Sequence, residues 1–297
     1  MRSVVSIITA ARRVALDIEA LVLPRACLGC RCALHGDEAL CGQCRLALRP
    51  IAPPQCKRCG QMLDRCETEG GAAPSPTRAE ARARPGQVLK DSKTAVGPSG
   101  PVLAEPGLQS GDRAGKTPTS RCGFCRTWPD ALSWAASAVW FDDGPARELV
   151  HALKYGGWSI AAGPMAGVMA KELAARLRGA DVLVPVPLGA RRLRERGHNQ
   201  AGLLAEALGT WCGLPAVAAL LVRSRETRTQ TSLHPAERRA NVAGAFRASR
   251  SLDGSRVVLV DDVLTTGATL ASAAQALAAA GAAEVGAVSF ARAPKPT

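Results

Sequence analysis

Apolar and polar positions change their period twice along the 297-residue chain. From Ala10 to Leu23 apolar residues recur at helical spacing, and residues 1–23 are expected to form an amphipathic helix packed on the segment after it. Residues 24–66 lose that period and are punctuated by cysteines and turn residues. Residues 67–120 hold many Gly, Pro, Ala and Ser and charges of both signs, but no Phe, Trp, Tyr or Cys. Such a stretch cannot bury enough apolar surface to offset its ordering entropy, so it is expected to be a disordered insertion. From Trp134 onward short apolar runs alternate with helical stretches. The runs predict strands at Val139–Phe141, Val182–Val186, Ala218–Val222, Val257–Val260 and Val285–Phe290. The stretches predict helices at Pro145–Tyr155, Met165–Leu177, Gln200–Leu208 and Thr269–Ala280, with Pro145 suited to a first turn and Gly281 to a helix stop.

This alternation predicts an α/β fold, a parallel sheet with helices on both faces. Ligands of such sheets bind outside the carboxyl ends of the strands. The expected organisation is a helix at 1–23, a cysteine-rich module at 24–130 that contains the insertion, and an α/β domain at 131–297.

Charge narrows the partners. A formal net charge of +13 points to a polyanion, either a nucleic acid or a small polyphosphate. No apolar run reaches the roughly 18 residues of a membrane span. Arg12 and Arg13 break the apolar run that starts at Val4, which is too short for a signal peptide, and the cytoplasm is the expected location.

In a reducing compartment, eleven cysteines are better read as metal ligands than as disulfides. Eight fall in CxxC pairs. Cys27, Cys30, Cys41 and Cys44 have the spacing of a tetrahedral Zn²⁺ site built from two tight knuckles. Cys56, Cys59, Cys122 and Cys125 form a second set, split by the insertion; closing so long a loop costs only a few kcal/mol because the entropy grows logarithmically. Cys66 could replace one of these ligands, Cys32 is a spare beside the first set, and Cys212 reads as a core thiol. A redox role fits less well, since no CxxC lies between a strand and a helix.

The most informative stretch is Arg256 to Thr269. A buried apolar run delivers Asp261 and Asp262, and Thr265-Thr266-Gly267-Ala268-Thr269 then opens a helix. Backbone N–H groups at a helix N-terminus suit a phosphate, Gly267 lets the backbone approach, and the Thr hydroxyls add donors. Two carboxylates beside that phosphate can accept hydrogen bonds from vicinal ribose hydroxyls. Without a Gly-Lys-Ser/Thr ending the loop is not that of a nucleotide triphosphatase.

This stretch resembles the diphosphoribosyl-binding signature of type I phosphoribosyltransferases. Val184–Leu188, Arg194–Ala201, Arg225–Leu233, Glu237–Phe246 and Leu153–Gly156 fit the same pattern, and together with the cysteine pairs they resemble the ComF family of competence-associated proteins over nearly the whole chain outside 67–120. The resemblance implies a zinc-ribbon module before a phosphoribosyltransferase domain that binds phosphoribosyl diphosphate with Mg²⁺. It implies that Asp261 and Asp262 hold the ribose and that residues 265–269 hold the 5-phosphate. Arg194 and Arg196 would meet the diphosphate, and a flap from Arg223 to Arg239, with Arg225, Thr229 and Gln230, would close over it. Lys154 and Tyr155 are candidates for a ligand wall. His198 reads first as a structural or binding residue and second as a general base. Transfer of phosphoribose to an unidentified acceptor is the expected activity; a protein that handles single-stranded DNA alongside competence proteins, and uses the fold for binding only, is the alternative. The chain is also similar to the transferase half of glutamine-dependent amidophosphoribosyltransferases, without a cysteine at its start to act as a glutaminase nucleophile.

Overall fold

The computed structural model describes residues 26–34, 38–63, 122–155, 159–225 and 241–294. All belong to one unit, Met1–Leu63 with Ser120–Thr297. The expected helix at 1–23 and the expected disorder at 67–120 lie outside the described residues.

Four parallel strands form the main sheet: β1 (Trp134–Trp140), β2 (Val182–Pro185), β5 (Arg256–Leu264) and β6 (Glu284–Arg292), in the order β1-β6-β5-β2. Two further strands, β3 (Leu221–Arg223) and β4 (Phe246–Ala248), pair antiparallel in a small separate sheet. The helices are α1 (Gly42–Leu46), α2 (Pro145–Tyr155), α3 (Ala162–Leu177), α4 (Ala190–Arg196), α5 (Gln200–Cys212) and α6 (Ala268–Ala279).

The central strand β5 shows why its sequence carries no alternation of apolar and polar residues. Side chains on a strand point to opposite faces in turn. Val258 and Val260 enter one core with Leu149 of α2, Met165 and Met169 of α3, and Leu204 and Leu208 of α5. Val257 and Leu259 enter the opposite core with Leu270, Ala274 and Leu277 of α6 and with Phe246 and Trp128. Both faces are covered, so every position from Val257 through Val260 is apolar, as expected for a parallel sheet.

Several elements depart from the sequence reading. β1 starts at Trp134 rather than Val139, because the small residues Ala135, Ala136 and Ala138 form strand where both faces are buried despite their low strand preference. β5 does not stop at Val260: its ladder with β6 continues to Leu264↔Arg292, so Asp261 and Asp262 are strand residues. Ala218–Leu220 is a 3-10 turn, and the strand after it belongs to the small sheet; among the described residues the edge beyond β2 is met by an isolated bridge at Ala216. α4, which is not among the expected helices, ends on the left-handed Gly197.

The cysteine-rich segment covers the outer edge of β1. Ile51 N–H donates to Ala138 O at 3.2 Å, Trp140 N–H to Arg49 O at 2.9 Å and Ala135 N–H to Arg58 O at 2.7 Å. An edge strand that would otherwise present unpaired backbone groups is thereby closed.

Candidate functional site

A cleft of about 720 Å³ opens at the carboxyl ends of the strands. Its floor is Asp261, Asp262 and Val263 of β5; Phe141 and Val186 come just after β1 and β2, and Thr265 and Thr269 flank the turn into α6. Pro187 and Leu188 follow β2, and Lys154, Tyr155, Arg192, Glu195, Arg196, Gln200 and Arg223 complete the lining. Four cationic side chains thus face three carboxyl groups, and the cleft carries charge of both signs.

The two aspartates have different partners. Lys154 Nζ lies 2.8 Å from Asp262 Oδ2, the carboxylate buried and the lysine partly so. Asp261 Oδ1 accepts from the Asp262 N–H at 2.9 Å, and Asp262 Oδ1 accepts from the Val263 N–H at 2.8 Å. Burial and the neighbouring Asp262 carboxylate push the Asp261 carboxyl up to about 8, against the opposing pull of the Asp262 N–H and Lys154. A charged or hydrogen-bonding ligand above Asp261 would replace the solvation that burial withholds.

Gly267 takes φ +76° and caps α6, and Thr266 Oγ1 accepts from the Ala268 N–H at 3.4 Å. A Cβ at Gly267 would lie 2.4 Å from Cζ2 of Trp128. The glycine is therefore required by a neighbouring indole as well as by its left-handed backbone.

Of the expected arginines, Arg196 lines the cleft, its guanidinium 5.1 Å above the ring of the exposed Tyr155. Arg194 sits on the exposed side of α4 and is absent from the lining; the helical spacing of α4 brings Arg192 there instead. Arg225 turns from the cleft and donates to Asn241 O at 3.1 Å and Ala243 O at 2.9 Å, closing the neck of the expected flap. Thr229 and Gln230 lie outside the described residues. His198 Nε2 is 2.8 Å from Leu153 O, so that nitrogen carries its proton and ties α2 to the start of α5. Asn199 caps α5, accepting from the Ala201 N–H at 3.2 Å. Gln200, missed by the sequence reading, is buried, and its Oε1 has no hydrogen-bond partner among the described residues.

The cysteines gather into two tetrads, Cys27/Cys30/Cys41/Cys44 and Cys56/Cys59/Cys122/Cys125, in each of which all Sγ atoms lie within 4.8 Å of one another. Four thiolates about 2.3 Å from one Zn²⁺ stand roughly 3.8 Å apart at the corners of a tetrahedron. The observed Cys30–Cys41, Cys56–Cys125, Cys59–Cys122 and Cys122–Cys125 separations are 3.7, 3.9, 3.5 and 3.8 Å. These values fit zinc and are far too long for disulfides. Cys66 lies outside the described residues, and Cys32 stands exposed beside the first tetrad, its thiol pushed up to about 12 by its hydrogen bond with Cys30. Cys212 is only half-buried, at the end of α5.

In each tetrad backbone donors favour the thiolate at some cysteines, while burial raises the thiols of Cys44, Cys59 and Cys125. Burial raises the Cys27 thiol, but the N–H groups of Cys30, Cys41 and Gly29 outweigh it and bring the group down to about 6. Cys56 comes down to about 7, burial being outweighed in the same way by the N–H groups of Cys59, Cys122 and Arg58. Two fully buried arginines flank the second tetrad. Arg292 donates to Cys59 O at 2.7 Å and Gln61 Oε1 at 3.0 Å, and Arg58 donates to Cys125 O at 3.1 Å, Pro129 O at 2.7 Å and Leu132 O at 3.0 Å.

Two known families match this chain: the phosphoribosyl transferase domain over residues 159–297 and the double zinc ribbon domain over residues 18–75. The second range holds the first tetrad together with Cys56 and Cys59; Cys122 and Cys125 fall beyond it and join through the fold. Among curated proteins, the DNA utilization protein YhgH of Salmonella typhi is 37% identical over 173 residues, covering 57% of this chain and 76% of that protein. Competence protein F of Haemophilus influenzae is 37% identical over 121 residues, covering 40% of this chain and 53% of that protein. Among solved structures, the glutamine phosphoribosylpyrophosphate amidotransferase of B. subtilis aligns over 47% of this chain and 30% of its own length, at 23% identity and a TM-score of 0.32.

Proposed function

The chain belongs to the ComF family, a double zinc ribbon joined to a phosphoribosyltransferase domain, and from that premise we propose that its cleft binds phosphoribosyl diphosphate with Mg²⁺ and transfers phosphoribose to an acceptor. One observation carries the reading: β5 sets two adjacent carboxyl groups on the floor of a cleft that Thr265 and Thr269 line on either side of the turn into α6.

Each group then has a task. Asp261 and Asp262 accept hydrogen bonds from the ribose hydroxyls. The turn from Thr265 to Thr269 holds the 5-phosphate at the helix N-terminus. Lys154, Arg192, Arg196 and Arg223 face the diphosphate. Oxygen donors beside a diphosphate suit a hard cation, and Mg²⁺ bound with that ligand would offset its charge. Breaking the bond from the anomeric carbon to diphosphate leaves an oxocarbenium-like centre, which the Asp262 carboxylate stabilises while the cations hold the leaving group. Calorimetric titration with phosphoribosyl diphosphate and Mg²⁺ tests the reading. Saturable binding that Asp261→Asn and Asp262→Asn weaken is expected; no heat with the intact, zinc-loaded chain refutes it.

A second reading, a protein that handles single-stranded DNA and uses the fold for binding only, rests on the net charge of +13 and on the names of the competence and DNA utilization relatives. A salt-dependent oligonucleotide shift that persists in Asp261→Asn would favour it. Among the described residues no helix is long and apolar enough to cross a membrane.

A further inference from the structure

Gly267 leaves the phosphate turn free to adopt more than one backbone conformation, because glycine reaches both signs of φ at little cost. A turn that must present N–H groups to an anion needs something to hold it. The residue in contact with it comes from the second cysteine tetrad. Trp128 is 4% exposed, and its own N–H donates to Cys125 O at 3.0 Å. Its indole Nε1 donates to Thr266 O at 3.2 Å, and its ring occupies the space a Cβ on Gly267 would need. Phe124 meets the indole edge-to-face with centroids 5.6 Å apart, and Arg292 lies 4.4 Å over Phe124.

The peptide group between Thr266 and Gly267 is planar, and in the trans form its C=O and N–H point in opposite directions. An indole N–H that holds the Thr266 carbonyl therefore aims the Gly267 N–H away from the ribbon. A flipped peptide would instead turn a carbonyl oxygen toward any anion bound there. We propose that Trp128 is a positioning residue for the phosphate turn: the second cysteine tetrad, through Trp128, holds the Thr266–Gly267 peptide in the orientation that receives the 5-phosphate. The proposal rests on the phosphosugar reading of the cleft, and it gives the ribbon a part in ligand binding beyond that of a folding module.

The test compares the parent with Trp128→Phe and Trp128→Ala, each checked for two zinc per chain, using three probes: ribose 5-phosphate, Mg²⁺-diphosphate, and phosphoribosyl diphosphate with Mg²⁺. Trp128→Phe keeps the packing and removes the N–H donor, so it also serves if Trp128→Ala does not fold. Loss of one neutral hydrogen bond is expected to weaken ribose 5-phosphate by roughly two- to tenfold in Trp128→Phe, with phosphoribosyl diphosphate weakened by the same factor. Trp128→Ala should weaken both further. Mg²⁺-diphosphate, which makes no use of the turn, should bind all three proteins alike. Unchanged ribose 5-phosphate affinity in Trp128→Phe, or equal losses for ribose 5-phosphate and Mg²⁺-diphosphate, overturns the positioning role while leaving the phosphosugar reading intact. A parent that binds none of the three probes overturns that reading and this proposal together.

Discussion

In the first cysteine tetrad Cys30 is exposed and Cys41 half-buried, whereas in the second Cys56, Cys59 and Cys125 are all buried. The first is closed by ligands within eighteen residues of sequence and leans on local donors: the Cys41 N–H on Cys27 Sγ and the Cys44 N–H on Cys41 Sγ. The second draws its ligands from either side of the insertion and is enclosed by Arg58 and Arg292. Four thiolates and one Zn²⁺ carry a net charge of −2. Exposed to water, such a charge is solvated; enclosed, it needs counter-charge. Two buried guanidinium groups supply it, one from the ribbon and one from the last strand of the sheet. The same ligand set thus serves as a local clasp in one place and as part of the domain interior in the other.

The largest effect should separate the two sites directly. Cys59→Ser is expected to lose the second metal and several kcal/mol of stability, because a structural zinc is worth on the order of 10 kcal/mol in small sites. Cys30→Ser should lose the first metal yet leave ligand affinity within a few-fold. Zinc content and thermal unfolding measured together decide this, and equal losses in the two variants would break the comparison. Next in size is the counter-charge. Arg292→Met removes one of the second tetrad's two counter-charges and should cost about 3–5 kcal/mol in urea unfolding. Arg45→Met, which removes an exposed pair with Glu38 beside the first tetrad, should leave the unfolding midpoint where it is.

A smaller effect concerns the cleft, where burial of a carboxyl outweighs the pull of the nearby lysine. The folded chain holds the Asp261 proton up to about pH 8, while the unfolded chain releases it near pH 4. Between those limits the folded state binds more protons, so this group makes stability fall as pH rises from about 4 to 8. Asp261→Asn should abolish that slope and raise the unfolding temperature at pH 8; measured above pH 8, where the Asp261 carboxyl is charged, it should weaken phosphosugar binding about ten- to a hundredfold through a lost charge-assisted hydrogen bond. A pH–stability curve identical to the parent's would count against it. The smallest effect is expected from deleting residues 70–118. Shortening a long loop changes its closure entropy only logarithmically, so the second tetrad should still form and phosphosugar affinity should stay within a few-fold. Loss of the second zinc in that variant would show that the segment takes part in the site.

Features carried by spacing are legible in the sequence. The CxxC pairs identify both tetrads even across the insertion, and the apolar run ending in Asp261 and Asp262 identifies the floor of the cleft. Features set by tertiary contact are not. Lys154 reads in the sequence as a candidate for the ligand wall, but its pairing with Asp262 emerges only when the fold brings the end of α2 to β5. Arg192 rather than Arg194 lines the cleft because α4 is a helix, which the sequence pattern does not predict. The sequence reading makes β1 too short because alanines buried on both faces carry neither alternation nor strand preference. Gly267 reads as room for a phosphate, and only the fold reveals that an indole also fills the space beside it.

The position of Arg292 along the chain has a consequence for biosynthesis. All ligands of the first tetrad are made once the ribosome has passed Cys44, so that site can take up its metal while most of the chain is still unmade. The second tetrad gains its last ligand at Cys125, yet one of the two guanidinium groups that balance its charge arrives only with β6. At about 5–20 residues per second this is roughly ten to fifty seconds after the first site is complete. Full charge balance at the second site is thereby tied to completion of the sheet, and a chain stalled or truncated before β6 would carry a clasped first ribbon and a second one with half of its counter-charge.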